Sequence, residues 1–270
     1  MIYAKREADV KNNRILYVEA PFDQALVAIE SKGGKIITAK QLADARMQYD
    51  SNHTLSTNGS YVKEGNLFVP KGDHRRILLR NSLVLKNPTD ATESHRKGNE
   101  YLVSGIVTDF VNFIGKLKEG TDYIFLDSLK PVPTDRFGED KRINFLFGKS
   151  AQNYGLWLKE QGNVSETGFY NFRDDSHIDK QEGLFAGQLW LHGLGGNSDI
   201  YSNGGYLYDF NGVRGVSRIG EAGAPEKKVN VVDTYTPKEM KTLFTKSLNS
   251  AGITGKSQRL VISDLEKRLK

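Results

Sequence analysis

The chain has 270 residues, 38% hydrophobic and 26% charged, the balance of a globular protein with one large domain or two modest ones. No run approaches the ~18 apolar residues of a membrane helix, and Met1 to Arg6 lead into charged residues instead of an apolar leader. Membrane insertion is therefore not expected, and the default expectation is a cytoplasmic protein. Cysteine is absent, which excludes disulfide frameworks, zinc ribbons, iron–sulfur clusters and thiol nucleophiles, while the net charge of +5 comes from scattered basic residues and demands no polyanion partner.

In chain order, Ile15-Leu16-Tyr17-Val18 reads as a strand, followed by Pro21 at the start of a helix with Leu26, Val27 and Ile29 as its apolar positions, stopped by Gly33-Gly34. Lys35-Ile36-Ile37-Thr38 is a second strand, and a helix over roughly 39–49 follows. Asn58-Gly59-Ser60 marks a loop before Tyr61-Val62, and Glu64-Gly65-Asn66 predicts a hairpin turn into Leu67-Phe68-Val69. Ile77-Leu78-Leu79 and Leu83-Val84-Leu85 are extended candidates. From Ser104 the pattern is helical, with Val107, Phe110, Val111, Ile114 and Leu117 on one stripe. Pro131-Val132-Pro133 is a rigid extended break, and one helix over about 139–160 is expected despite Gly148 and Gly155. Beyond Gly162 glycine and aromatic density rises to a peak between Gly183 and Gly220. The tail returns to helix signals, with Pro237 at a start, then Met240, Leu243, Phe244 and Leu248, and a terminal helix around 260–269.

Catalytic constellations are thin. Asp174-Asp175-Ser176-His177-Ile178-Asp179 gathers three carboxylates and an imidazole, but matches no metal-ligand spacing and reads more readily as a solvated acidic loop. Gly193-Leu194-Gly195-Gly196 lacks the helix and Lys-Ser/Thr of a phosphate-binding loop. None of the five histidines, His53, His74, His95, His177 and His192, lies in a zinc-protease arrangement, and no G-x-S-x-G elbow exists. No catalytic residue, metal ligand or cofactor is expected.

The informative segment is Leu191 to Gly212, 22 residues without a single Lys, Glu, Gln, Met or Trp. Those five types make up 52 of the 270 residues, so chance would empty such a window only about once in a hundred draws. What remains is rich in Tyr, Asn, Asp, Ser and Gly, the palette of binding loops: Tyr supplies amphipathic area at low entropy cost, and the small polar residues adaptable hydrogen bonds. The same composition also suits a Gly-rich irregular β region.

The flanks carry a resemblance. Gln188-Leu189-Trp190, Leu194-Gly195, Ser198, Leu207 and Val213-Arg214-Gly215-Val216 look like the fixed frame of a variable region. Upstream, Asn58-Gly59-Ser60-Tyr61 with Glu64-Gly65, Arg80-Asn81-Ser82, Asn87-Pro88 with Ala91-Thr92, His95-Arg96 with Gly98, Pro133-Thr134, Arg136-Phe137, Phe147 to Ser150 and Tyr154-Gly155 extend it to roughly residues 10–220. Together they resemble the variable proteins of diversity-generating retroelements of nanoarchaea and related small archaea. That resemblance implies a C-type lectin fold of the formylglycine-generating-enzyme type, without the cysteine on which that enzyme's chemistry depends. It also implies an error-prone reverse transcriptase acting on template adenines, whose products from Asn-type codons never include the five missing residue types.

The resulting expectation is an α+β, C-type-lectin-like domain over 1–223, with an N-terminal α/β part over 1–100, a variable region over about 189–216 and a helical extension over 224–270. By the resemblance, Trp190 and Leu207 pack inward, and Arg214 bonds backbone or a carboxylate from within. The exposed, diversified ligand-binding residues would be Leu191, His192, Gly193, Gly196, Asn197, Asp199, Ile200, Tyr201, Ser202, Asn203, Gly205, Tyr206, Tyr208, Asp209, Phe210 and Asn211. Gly193 and Gly196 could equally serve backbone conformation, Phe210 core packing, and Ile200 an inward position. The expected partner is a macromolecule, most simply a protein, met by Tyr anchors in a polar surround. The rival reading is an enzyme or a nucleic-acid-associated factor that uses the Gly/Tyr segment as a pocket or stacking surface. A nucleic-acid partner is disfavoured because residues 191–213 contain neither Lys nor Arg.

Overall fold

A two-residue period runs through the central strands, and it sorts neighbouring side chains into two different cores. In the computed structural model, which describes residues 2–107, 109–194, 198–202, 207–209 and 211–219, Ile15 and Val62 enter one core while Leu16 and Tyr61 enter the other. The described residues all lie in one unit.

The chain opens with the hairpin β1 (Lys5–Val10) and β2 (Asn13–Ala20), then α1 (Phe22–Glu30), β3 (Lys35–Ile36), α2 (Ala39–Arg46), the short α3 (Thr54–Thr57) and β4 (Ser60–Phe68). The middle comprises β5 (Arg76–Leu79), α4 (Pro88–Arg96), β6 (Tyr101–Leu102), α5 (Phe110–Gly115), β7 (Tyr123–Phe125), β8 (Val132–Pro133), α6 (Lys141–Phe147) and α7 (Ala151–Gly162). The last third holds β9 (Glu166–Thr167), β10 (Phe169–Tyr170), α8 (Asp175–Asp179), β11 (Phe185–Leu191), β12 (Ile200–Ser202) and β13 (Asn211–Arg218).

Among the described residues eleven strands form one mixed sheet, with β1, β2, β13, β4, β11, β12 and β10 in spatial order, while β8 and β9 pair separately. β2 and β13 pair antiparallel along their whole length, from Ala20 opposite Asn211 to Asn13 opposite Arg218. One face of the sheet carries Val62, Leu189, Leu191, Ile200 and Phe169 against α2, α6 and α7. The other carries Leu16, Val18, Tyr61, Ala186 and Val213 against α1 and α4. This is the expected α+β class, with helices on both sides of a largely antiparallel sheet.

Local signals placed most of the early elements. Thr38 caps α2 by accepting from the Gln41 amide, and the Gln41 side chain returns the bond to the Thr38 amide. Three expectations are corrected. Glu64-Gly65-Asn66 is the middle of β4, not a turn: a Cβ at Gly65 would lie 2.5 Å from Ser82 Cβ and 2.8 Å from the Gly187 carbonyl, so glycine there permits close packing. Leu83 to Lys86 is a 3-10 turn, capped by Ser82 Oγ accepting from the Val84 amide, not a strand. The helix expected over 139–160 is two helices, because Gly148 takes φ 57° and ends α6.

Gly155, by contrast, stays inside α7. A Cβ there would overlap the Thr134 carbonyl oxygen and come within 2.8 Å of Phe137 Cγ. Gly155→Ala is therefore expected to destabilise by about 1–3 kcal/mol despite alanine's better helix propensity. Urea unfolding measures this directly, and an increase in stability would show that the helix can move away from residue 134. The helical extension expected over 224–270 lies outside the described residues. Among the described residues no helix is long and apolar enough to cross a membrane.

Candidate functional site

Two buried arginines build the floor of the site. Arg46 falls on the inward stripe of α2 with Ala39, Leu42 and Ala43. Its guanidinium makes four bonds to oxygens: Nε donates to the Leu55 carbonyl at 2.9 Å, Nη1 to Tyr154 Oη at 2.8 Å and the His192 carbonyl at 2.9 Å, and Nη2 to the Asn58 carbonyl at 2.9 Å. Arg214, on β13, grips the same loop from the other side. It forms a two-pronged pair with Glu7, both bonds 2.6 Å, and donates to the carbonyls of Gly59 at 2.8 Å and Thr54 at 3.1 Å. Its guanidinium also lies 4.8 Å from the Tyr17 ring centre, and burial together with a bond to Glu19 pushes the Tyr17 phenol up to about 12. Arg214 thus bonds both a carboxylate and backbone, as the frame reading expected.

On this floor rests the segment beginning at Leu191. Gly193 lies on the loop 54–59 so tightly that a Cβ would overlap the Thr57 carbonyl. The Trp190 indole lies over Gly59, where a Cβ would meet Nε1 at 2.5 Å, and packs edge-on against Tyr61 at 4.8 Å. Trp190 is half-buried, and Leu207 is wholly buried in the core beside α1, with its carbonyl accepting from the Phe22 amide at 2.7 Å.

The sixteen expected ligand-binding residues divide three ways. Leu191, Gly193, Asp199, Ile200 and Ser202 are buried, which removes them from an exposed set. The period of β11 and β12 turns Leu191 and Ile200 into the core, and Ser202 Oγ packs against Gly187, 2.7 Å from where its Cβ would be. Asp199 spends its carboxylate on the Gly168 amide at 2.7 Å, and burial raises its pKa. His192, Tyr201, Tyr208, Asp209 and Asn211 are half-buried and partly presented to solvent. Gly196, Asn197, Asn203, Gly205, Tyr206 and Phe210 lie outside the described residues.

Two contributors were missed at sequence level. Tyr170, 21 residues before the segment begins, stacks on Tyr201 with ring centres 5.5 Å apart. No local pattern reports a pairing between β10 and β12. Arg46 was signalled more openly, as a charged residue at the fourth position after Leu42 on an otherwise apolar stripe.

The acidic run 174–179 is employed elsewhere. Asp174 caps α8 through the His177 amide, Asp175 pairs with Arg76 at 2.6 Å, and Asp179 accepts from Arg75 at 2.8 Å and from the Lys71 amide at 2.7 Å. The bond from the His177 amide holds Asp174, and that from the Lys71 amide holds Asp179, below the usual carboxylate range. Among the described residues no three His, Asp or Glu side chains converge as a metal would require.

No protein-family model and no curated protein matches the sequence. Among solved structures the chain is similar to a protein described in terms of the accommodation of massive sequence variation in Nanoarchaeota by the C-type lectin fold. The two are 17% identical, with a TM-score of 0.54 over 80% of this chain and 98% of the other. At that identity the likeness speaks for the architecture alone: this chain has an α+β, C-type lectin fold.

Proposed function

We propose that this protein is a non-catalytic binding protein whose surface around residues 191–211 is diversified to recognise varied macromolecular ligands, most simply proteins. The observation that carries the reading is how the segment is held. The scaffold grips it mainly by main-chain atoms: the His192 carbonyl by Arg46, the Leu207 carbonyl by the Phe22 amide, and the Ile200 amide by the Gly168 carbonyl at 3.0 Å. Such bonds are indifferent to side-chain identity, so residues can change without loss of the frame. Asp199, whose buried carboxylate accepts from the Gly168 amide, and the buried side chains of Leu191, Ile200, Ser202 and Leu207 belong to the frame.

Further support comes from the absence of Lys, Glu, Gln, Met and Trp between Leu191 and Gly212, and from the structural neighbour, which is itself described as accommodating massive sequence variation. A diversity-generating retroelement is the mechanism that this composition suggests. The lack of Lys and Arg over residues 191–213 argues against a nucleic-acid ligand.

Exchange of presented against buried positions tests the reading. Replacing His192, Tyr201 and Tyr208 together by serine is expected to cost about 0.5 kcal/mol per site, about 1.5 kcal/mol in all. Leu191→Ser or Ile200→Asn, which place a polar group in the core, should each cost about 3 kcal/mol or more. Chemical unfolding separates the two groups, and a triple variant as damaged as the core variants would overturn the assignment of these positions to a tolerant surface. At the gene level, the expected companion is a near-identical template repeat differing mainly at adenines, beside a reverse transcriptase gene.

A further inference from the structure

The sheet does not end where its helical cover ends. Tyr61 of β4 stands opposite Trp190 of β11, Trp190 opposite Tyr201 of β12, and Tyr201 opposite Tyr170 of β10. Directly registered residues share a face, so these four aromatics form one row across four strands. At its inner end Tyr61 is buried against Phe22 of α1; at its outer end Tyr170, on the last strand of the sheet, is 47% exposed. The alternate residues, Leu189, Leu191, Ile200 and Phe169, all lie in the opposite core. The row therefore emerges from a packed interior onto an open surface.

Tyr170 is placed there by construction. Its ring folds back over Gly168, where a Cβ would stand 2.9 Å from Cζ and 3.1 Å from the hydroxyl oxygen. Gly168 is fixed in turn by its amide bond to Asp199 and its carbonyl bond from the Ile200 amide. His192 completes the platform, 5.3 Å from the Tyr201 ring.

The chemistry of the platform favours cations. Aromatic faces carry negative quadrupole potential, and the buried Asp199 carboxylate acts on Tyr201, while His192 and exposed Glu166 act in turn on Asp199. In a chain of net charge +5, the whole run 191–213 contributes no Lys or Arg. Arg142 lies 4.6 Å from the ring of Phe169, on the covered face of β10, and is committed to Asp140 and to the carbonyls of Ser128 and Lys130.

We propose that Tyr170, which lies outside the diversified segment, is an invariant anchor of the binding surface, and that with Tyr201, His192 and Glu166 it receives an arginine side chain of a protein partner. Arginine fits better than lysine because its planar guanidinium can stack on the ring while its edge reaches a carboxylate. The proposal rests on the binding reading given above and adds a ligand class to it. Fixed and variable parts would then divide the work: Tyr170 and Glu166 hold a common cation, while Tyr201, His192 and the other exchanged residues shape what surrounds it.

The test titrates the full chain with a Gly-Ser-Arg-Gly-Ser-Arg peptide and its citrulline counterpart, neutral and nearly isosteric, at fixed ionic strength, followed by calorimetry. The arginine peptide is expected to bind the more tightly. Tyr170→Ala should weaken it about three- to thirtyfold while Tyr170→Phe, which keeps the ring, retains it. Gly168→Ala should weaken it as well, by displacing the ring without removing it, and Glu166→Gln should lessen its dependence on salt. Equal affinity for the two peptides, or an unaffected Tyr170→Ala, overturns the proposal. The underlying reading fails separately. Panels of folded variants at Tyr208, Asp209 and Asn211, outside the platform, should change which peptides are selected from a random library. If selection follows those positions but ignores Tyr170, the arginine anchor falls and the diversified surface stands; if arginine binding needs Tyr170 but selection ignores them, the reverse holds.

Discussion

Arg214→Met is expected to lower the stability of the fold by about 3–5 kcal/mol, because it leaves the Glu7 carboxylate buried without its partner. Arg214 has no exposed side-chain surface and Glu7 only 6%, so water cannot replace what is lost. The substitution also strips donors from the carbonyls of Thr54 and Gly59, the loop on which Trp190 and Gly193 rest. Against a total stability of about 5–15 kcal/mol, a loss of this size is a large fraction, and for a unit of this length it corresponds to a melting temperature roughly 10 °C lower. Glu7→Gln should cost less, since an amide oxygen can still accept from the guanidinium. Adding Glu7→Gln to Arg214→Met should recover part of the damage by removing the stranded charge. Thermal unfolding of the two single variants and the double variant measures the coupling. Strict additivity would mean that the pair is not the unit described here.

The second large effect is a pair of opposed pH dependences. Glu64 is buried in the middle of β4, with Oε2 accepting from the Ala39 amide at 2.9 Å and Arg80 standing 3.7 Å away. Burial pushes its carboxyl from 4.5 up to about 7. His95, buried on α4, is pushed by the same cause from 6.5 down to about 4. The folded protein therefore holds the Glu64 proton more tightly than the unfolded chain does. That contribution to stability is fully present below pH 4.5 and is lost as pH rises through about 7. His95 acts in the opposite sense: its contribution is present above pH 6.5 and is lost as pH falls through about 4. At 1.36 kcal/mol per pH unit each amounts to roughly 3 kcal/mol, so between pH 4.5 and 6.5 the two slopes nearly cancel. Glu64→Gln keeps an acceptor for the Ala39 amide and removes the titration. Relative to the parent it should gain up to about 3 kcal/mol between pH 4.5 and pH 8, and it should lose stability steadily below pH 6.5 as His95 is unmasked. Urea unfolding across that range gives the difference curve, and a flat one would contradict the assignment to Glu64.

Which parts of this molecule can be read from the chain alone follows from how far each signal reaches. β2, α1 and α2 announce themselves because their determinants are neighbours, such as the apolar run of β2 and the glycines after α1, whereas β1 carries no such apolar run and went unread. The compositional gap over 191–212 needed only counting, and the inward roles of Leu207 and Arg214 were implied by the resemblance of the flanks to the frame of a variable region. Gly65 shows where local reading stops. A glycine between two polar residues is a turn by neighbourhood, yet here it is the point in a long strand where Ser82 and the Gly187 carbonyl approach too closely for a Cβ.

Within the binding segment, the sequence by itself determined the palette of side chains and the frame that bounds it. It could not determine which of those side chains are presented. Leu191, Ile200 and Ser202 turn inward while Tyr201 turns out, because register against β11 and the helices beyond Leu189 decide which face of a strand is covered. Tyr170 joins the platform only because β10 returns parallel to β12, and Arg46 reaches the His192 carbonyl across 146 residues of chain. Periodicity is a property of adjacent residues and is written locally. Burial of a given face is a property of what the rest of the chain brings against it, and only the tertiary structure decides that.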